Sequence, residues 1–308
     1  MLFPRPMKII PPLHHRDAGL SGVLSALGAF LFWGLVTPVY FKEVRHIAPL
    51  EVLAHRVIWS VVLMLLVVVL LRGPAALLRA LNDRRQLIYC LATTLLVSTN
   101  WLIFIWAVAA EHLVEASLGY YINPLVNVLL GVLFLEERLS RYQAVAVGVA
   151  ALGVSVQVVM LGVMPWVALA LAFSFGFYGL LRKKADVDPL VGLLVETLLL
   201  LPLALGFVWI YGSAFTLDNW RQNVLLMGAG FITATPLVLF LFAAQHLRLS
   251  TLGVMQYLAP TGHLAIAVLA YGEPFTSTQG ITFSCVWIAL SLYSYDLWRA
   301  RQMPCQTP

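Results

Sequence analysis

The chain is written as apolar runs of about 20 residues separated by short charged segments, and that alternation constrains its fold more than any single motif. The runs fall near 20–41, 50–71, 86–109, 113–135, 141–161, 163–181, 189–211, 222–244, 250–271 and 277–298. A helix of about 20 residues, rising 1.5 Å per residue, crosses roughly 30 Å of hydrocarbon, so each run has the length of a membrane crossing. A closed β-barrel would instead show alternating segments of about ten residues, and these runs do not alternate. Composition agrees: 11% of the 308 residues are charged, against about 25% in a water-facing domain. The expectation is an all-α polytopic membrane protein with ten transmembrane helices, numbered here as spans 1 to 10. The first 18 residues carry four prolines and no long apolar core. They read as a cytoplasmic tail rather than a signal peptide; 299–308 form a second such tail.

The basic residues orient the spans. Fifteen of the 19 Lys and Arg fall in loops and tails on one side, the N-terminal side, and three on the other; Arg56 lies within span 2. That asymmetry places both termini in the cytoplasm of an inner, plasma-membrane protein. We refer to the richer side as the basic face. The net charge of +5 is a topology signal and not a nucleic-acid patch. Cys90, Cys285 and Cys305 show no metal spacing or disulfide framework, and no cofactor is expected. No nucleotide-binding P-loop, zinc-protease or nucleophile-elbow motif is present, which argues against an enzyme or an ATP-driven pump.

One phrase occurs twice. LGYYINPLVNVLLGVLFLEERLS (118–140) returns as LGVMQYLAPTGHLAIAVLAYGEPFT (252–276), each with a glutamate 13 residues past its proline. Upstream, AAEHLVEASLG (109–119) matches AAQHLRLSTLG (243–253) without a gap, Trp33-Gly34-Leu35 matches Tyr178-Gly179-Leu180, and Pro49-Leu50 matches Pro189-Leu190. The chain is therefore five helices written twice, 19–161 and 163–298. Five is odd, so the second copy enters the membrane inverted. Two similar halves in opposite orientations can exchange conformations and expose a site between them to each face in turn.

These segments, with FLFWGLVTPVYFKEV (30–44), LEVLAHRVIWS (50–60) and STNWLIFIWAV (98–108), resemble the EamA-type drug/metabolite transporters, and within them the RarD group. The resemblance covers nearly the whole chain. It implies a ten-helix inner-membrane permease with two EamA repeats and a site between spans 1, 3, 4 and 6, 8, 9. The expected partners are a small-molecule solute, protons or a counter-moving solute, and the lipid bilayer. The expected function is secondary export of a small metabolite or drug-like solute. A membrane-embedded enzyme, needing Arg56, Glu196 and His263 on one centre, and a non-transporting scaffold or sensor are the alternatives.

Polar and kink residues mark the candidate site. Arg56 and Glu196 stand at matched positions, each seven residues past a proline, about 10 Å inside the helix start. A charge at that depth must face the interior or a partner. They read as a structural pair, or as an anion anchor (Arg56) with a proton site (Glu196). Pro124 and Pro260 kink spans 4 and 9 and free a carbonyl that only a protein-lined cavity can satisfy. Tyr121, Asn123, Asn127, Gln256, Tyr257 and His263 surround them. Asn100 and Trp101, with Phe104, Trp106, Thr233 and Thr235, supply further hydrogen bonds and aromatic walls, as do the matched Trp33 and Tyr178. Glu137 and Glu273 serve either as gates or as carboxylates beside the next helix start, where Ser140/Gln143 and Thr276/Gln279 form capping boxes. His112 and His246 are interfacial. Ala144/Gly148 and Gly280/Ser284 place close-packing faces on spans 5 and 10, serving the scaffold or a homodimer.

Overall fold

The computed structural model describes residues 15–302 apart from 111, 163, 186, 217, 218 and 273. Glu273, Cys305 and the tail segments 1–14 and 303–308 lie outside the described residues. Every regular element among those described is helical. Span 1 joins helix His15–Leu31, a π-helical turn Phe32–Val36 and helix Thr37–Glu43. Spans 2 to 5 are Pro49–Arg72, Arg84–Ala109, Leu113–Phe134 and Arg141–Leu161; spans 6 to 8 are Trp166–Lys184, Pro189–Tyr211 and Trp220–His246. Span 9 is broken into Leu249–Met255, Leu258–Ala265 and a π-helical turn Ile266–Ala270, and span 10 is Ser277–Gln302. Eight of the spans have both the length and the hydropathy of a membrane crossing. Spans 6 and 10 fall short, the first because it ends in Arg182, Lys183 and Lys184, the second because of its polar start. A short helix, Pro74–Asn82, joins spans 2 and 3 in a segment read from sequence as loop.

The helix starts follow from side-chain caps. Asp83 accepts from the amides of Arg85 and Gln86, and Asp188 from those of Leu190 and Val191. Ser140 and Gln143 bond reciprocally, as do Thr276 and Gln279. Four orphan amides per helix cannot be left to lipid, so these caps matter more here than in water. Pro260 has no N–H to offer the carbonyl of Gln256; the amide of Ala259 takes it instead at 3.0 Å, tightening span 9 into a turn.

The packing of the spans reproduces the repeat. Span 2 packs on span 7, span 4 on span 9 and span 5 on span 10, each pairing one helix with its counterpart. The most extensive of the remaining contacts come as mirrored sets: 1 with 8 and 6 with 3, 4 with 6 and 9 with 1, 2 with 8 and 7 with 3. An approximate two-fold axis in the membrane plane is the simplest arrangement that yields all of them. Polarity is inside-out relative to a soluble protein: Trp209 is 85% exposed and Leu203 73%, whereas Asn127, Thr93 and Glu196 are buried.

Spans 5 and 10 do pack together, but not through the small residues chosen from sequence. A side chain at Gly148 would meet nothing within 4 Å, whereas one at Gly153 would meet Cys285 Cβ at 2.6 Å. The crossing lies further along, where Thr282 Oγ1 donates to Gly153 O. Spans 1 and 9 cross glycine on glycine: a Cβ on Gly34 would approach Ala259 O to 2.9 Å, and one on Gly262 would approach Gly34 C to 2.9 Å. Gly34→Val or Gly262→Val is expected to cost about 1–3 kcal/mol through overpacking, measured as a lower melting temperature of the purified protein. Gly148→Ala, in open space, should leave it unchanged.

Candidate solute site and the closed basic face

A cavity of about 140 Å³ lies among spans 1, 2, 3, 4, 6, 8 and 9. One water needs roughly 10–15 Å³ on the same measure, so this space can hold a small organic molecule. Its lining comes from mid-membrane and from the half away from the basic face: Thr37 and Phe41 late in span 1, Arg56 early in span 2, Ala116 to Asn123 early in span 4. The walls are aromatic, from Trp33, Phe41, Trp101, Phe104, Tyr120 and Phe175. The polar lining is Thr37, Asn100, Asn123, Thr233, Gln256 and His263.

Among the described residues, Arg56 is the one Lys or Arg in that lining, and no Asp or Glu contributes to it. Its Nε donates to Thr233 Oγ1 at 2.8 Å, and its guanidinium carbon lies 4.9 Å from the Trp101 ring centre and 5.6 Å from that of Phe41. Among the described residues no carboxylate pairs with it. A desolvated cation without a counter-charge costs several kcal/mol, and only an anion or water entering the cavity can offset that.

Local backbone irregularity sets His263. In the π turn the amide of Thr37 bonds Phe32 O, and the next residue, Pro38, has no N–H. Trp33 O is thereby left without a helical donor, and His263 Nε2 donates to it at 2.9 Å. The bond fixes the tautomer, leaving Nδ1 as an acceptor, while the Tyr120 ring meets the imidazole edge-on at 5.6 Å. Asn100 Nδ2 bridges spans 3 and 6 by donating to Leu171 O and Ser174 Oγ.

The expected site residues divide. Trp33, Arg56, Asn100, Trp101, Asn123, Gln256, Pro260 and His263 line the cavity; Tyr121, Asn127, Tyr178, Glu196 and Tyr257 do not. Asn127 is buried behind the lining and donates to Gln256 Oε1 at 2.7 Å. Tyr257 hydrogen-bonds Tyr121 O, and the Tyr121 ring packs on Phe283. Tyr120, adjacent to the residue chosen, is the one that faces inward, because Ala116, Gly119, Tyr120 and Asn123 share a helical face. Thr37, Phe41 and Phe175 were not singled out from sequence.

Arg56 and Glu196 do not pair with each other. Glu196, 1% exposed, sits toward the basic face and accepts from Thr93 Oγ1 at 2.6 Å and Tyr178 OH at 3.2 Å, with Arg182 Nη1 at 3.5 Å. Arg182, counted in sequence among the loop bases, is 3% exposed. Arg56, Glu196 and His263 therefore do not meet on one centre, as a membrane-embedded enzyme would require.

Elsewhere the basic face is held by bonds between span ends. Glu137 accepts from the amides of Leu249 and Ser250 at 2.6 and 2.8 Å, so it caps span 9 and not span 5, the next helix along the chain. Lys183 Nζ donates to Ala244 O and Leu247 O, the unpaired carbonyls at the end of span 8. Gln245 reaches Val187 O, and Arg72 pairs with Asp188 at 2.9 Å. The Glu137 and Lys183 bonds carry a charge to a helix end that would otherwise be unsatisfied. His112 pairs with Glu115 and stacks on Trp106, and His246 bonds Phe242 O; neither lines the cavity.

A bundle of inverted helical repeats around a mid-membrane cavity is the architecture of a membrane transporter. The family model for EamA-like transporters matches residues 20–159 and again 163–295, and the chain belongs to that family. It is 49% identical to an uncharacterised transporter of Vibrio cholerae over 90% of this chain and 92% of that one. It is 45% identical to Protein RarD of Salmonella typhi over 90% and 95% of the two chains. A protein of Pseudomonas aeruginosa named chloramphenicol-sensitive protein RarD is 34% identical over 91% and 95%. These matches place the chain in the RarD group. A solved crystal structure shares the fold with a TM-score of 0.70 at 17% identity, covering 94% of this chain and 99% of its own.

Glu137→Ala removes two charge-assisted bonds that hold span 4 to span 9, and hydrogen bonds to charged groups contribute about 1.5–3 kcal/mol each. The expected outcome is a clearly lowered melting temperature with the cavity residues intact; Glu137→Gln, which keeps one acceptor, should recover part of the loss.

Proposed function

We propose that this chain is a secondary exporter of small organic anions in the inner membrane, with both termini cytoplasmic. The observation that carries the reading is Arg56: a guanidinium in an aromatic mid-membrane cavity, with one neutral hydrogen bond and, among the described residues, no carboxylate beside it. A carboxylate or other anionic group would seat on its free Nη atoms. The body of the solute would lie between Trp33, Trp101 and Phe175, and the tips of Asn123, Gln256 and His263 would read its polar edges. The distribution of Lys and Arg, 15 against three, supports the orientation. With no nucleotide-binding loop in the sequence, a proton gradient or a counter-moving solute supplies the energy.

Alternating access follows from the repeat. Here the basic face is drawn together by Glu137, Lys183 and Gln245, while the cavity lies toward the other side. The second state exchanges these roles between the halves. The name of the Pseudomonas relative, chloramphenicol-sensitive protein, extends the range of solutes worth testing to aromatic drug-like molecules.

The test is a thermal-shift screen of aromatic and aliphatic carboxylates, matched amides and matched amines, followed by flux in proteoliposomes. A ligand at 100 times its Kd stabilises by about 2.7 kcal/mol. Carboxylates should stabilise where their amides and amines do not. Arg56→Ala should weaken that binding at least tenfold, about 1.4 kcal/mol, and Arg56→Lys should restore part of it. Unchanged carboxylate binding and flux in Arg56→Ala would overturn the reading.

A further inference from the structure

Three residues that line the cavity from spans 1 and 2 have counterparts in the second half. Trp33 matches Tyr178 and Arg56 matches Glu196; in the register of the first pair, Thr37 matches Arg182. The counterparts also come together, on the basic-face side, but there all three are buried. They bond one another: Tyr178 OH and Thr93 Oγ1 donate to Glu196, and Arg182 lies 3.5 Å from it. Gly192 makes the space, since a side chain there would come within 2.0 Å of Arg182 Nη1.

The pairing is poor for an arginine. A guanidinium is built for two parallel bonds to one carboxylate, yet Glu196 commits its oxygens to Thr93 and Tyr178. Arg182 Nη2 reaches only Pro189 O at 3.3 Å, and its buried Nε and Nη1 have no hydrogen-bond partner. Charge is balanced, but the fork is not filled.

We infer that Arg182 is the anion anchor of the solute site when that site faces the basic side, and that Glu196 occupies the place of the solute's anionic group while that side is shut. The inference rests on the alternating-access reading above and adds a second recognition residue to it. Opening the basic side requires Glu196 to lose its charge or its partner. A proton delivered to Oε1 by hydronium from the bulk solution on the basic side does this, releasing water and leaving a neutral carboxylic acid and a cation free for the solute. The titratable and charged groups facing Glu196 are Arg182 and Tyr178 from span 6 and Cys90 from span 3, beside the hydroxyl of Thr93. Spans 2 and 8, which also pack on span 7, present none to it among the described residues.

Cys90, buried and one turn before Thr93, is a built-in reporter. With Cys285 and Cys305 replaced by serine in the full chain, Cys90 is the sole thiol. Its reaction is followed with an anionic methanethiosulfonate (ethylsulfonate) and a cationic one (ethyltrimethylammonium), each rate normalised to the same reagent with free cysteine. Wild type and Glu196→Asp should stay protected from both. Glu196→Gln should open Cys90 and favour the anionic reagent by at least about tenfold, because Arg182 then attracts anions. Adding Arg182→Gln should abolish that preference. If Glu196→Gln fails to give a single folded species, the same ratio is read on wild type at acid and mildly alkaline pH, where the anionic preference should emerge only at acid pH. Protection that persists in Glu196→Gln, or reaction without charge preference, would overturn the inference. No transported solute enters the measurement, so its failure leaves the Arg56 site standing, and a failure of Arg56→Ala does not predetermine this result.

Discussion

The guanidinium of Arg56 has a hydroxyl on one edge, aromatic faces beside it and, among the described residues, no carboxylate paired with it. In a bilayer interior that arrangement is expensive, and the surrounding architecture can be understood as what sustains it. Seven spans converge so that the charge faces a cavity and not lipid. Arg182 shows the alternative: a buried guanidinium near the end of span 6 with a carboxylate 3.5 Å away. One arginine is neutralised and enclosed, the other is bare and accessible. The difference between them is what gives the structure a direction across the membrane.

Under the alternating-access reading proposed above, inversion of the repeat makes that difference reversible. The same helix pairings recur in mirrored sets, so on that reading neither half is committed by its helix packing to the open or the closed role. What commits them is a small set of polar bonds at the basic face, from Glu137, Lys183 and the Glu196 cluster, each between elements and each within reach of water when the ends separate. On the cavity side, the bond from His263 to the orphaned Trp33 carbonyl ties spans 1 and 9 where both backbones are irregular. Irregular backbone tolerates bending without a further loss of helical hydrogen bonds, since those bonds have already been rearranged.

The spans, the repeat and the helix caps were legible in the sequence because each leaves a local pattern: run length, matched phrases, Ser140-x-x-Gln143. Azimuth was not. In a soluble helix the polar face reveals its phase, but here lipid-facing and core-facing positions are equally apolar, so depth could be read and direction could not. That is why Tyr121 was chosen over Tyr120, and why Glu196 was grouped with Arg56 although it points to the other side of the bundle. Arg182 was lost to a different ambiguity. A basic cluster at a helix end reads as a topology signal, and only the neighbouring Gly192 hints that one member turns inward. Glu137 was recognised as a helix-end carboxylate, but its partner, the start of span 9, is distant in sequence and close only in the folded bundle.

On the proposed reading, a positive charge with no carboxylate paired to it among the described residues also defines what this cavity refuses. A quaternary ammonium or protonated amine about 5 Å from Arg56 would meet a repulsion of roughly 3 kcal/mol at an effective dielectric of 20. The aromatic walls would return about 0.5–2 kcal/mol through cation–π contact, which does not cover it. Cells relying on this chain would thus gain little against cationic dyes and antiseptics, whatever their hydrophobicity, and any protection it confers would fall on acids and neutral aromatics.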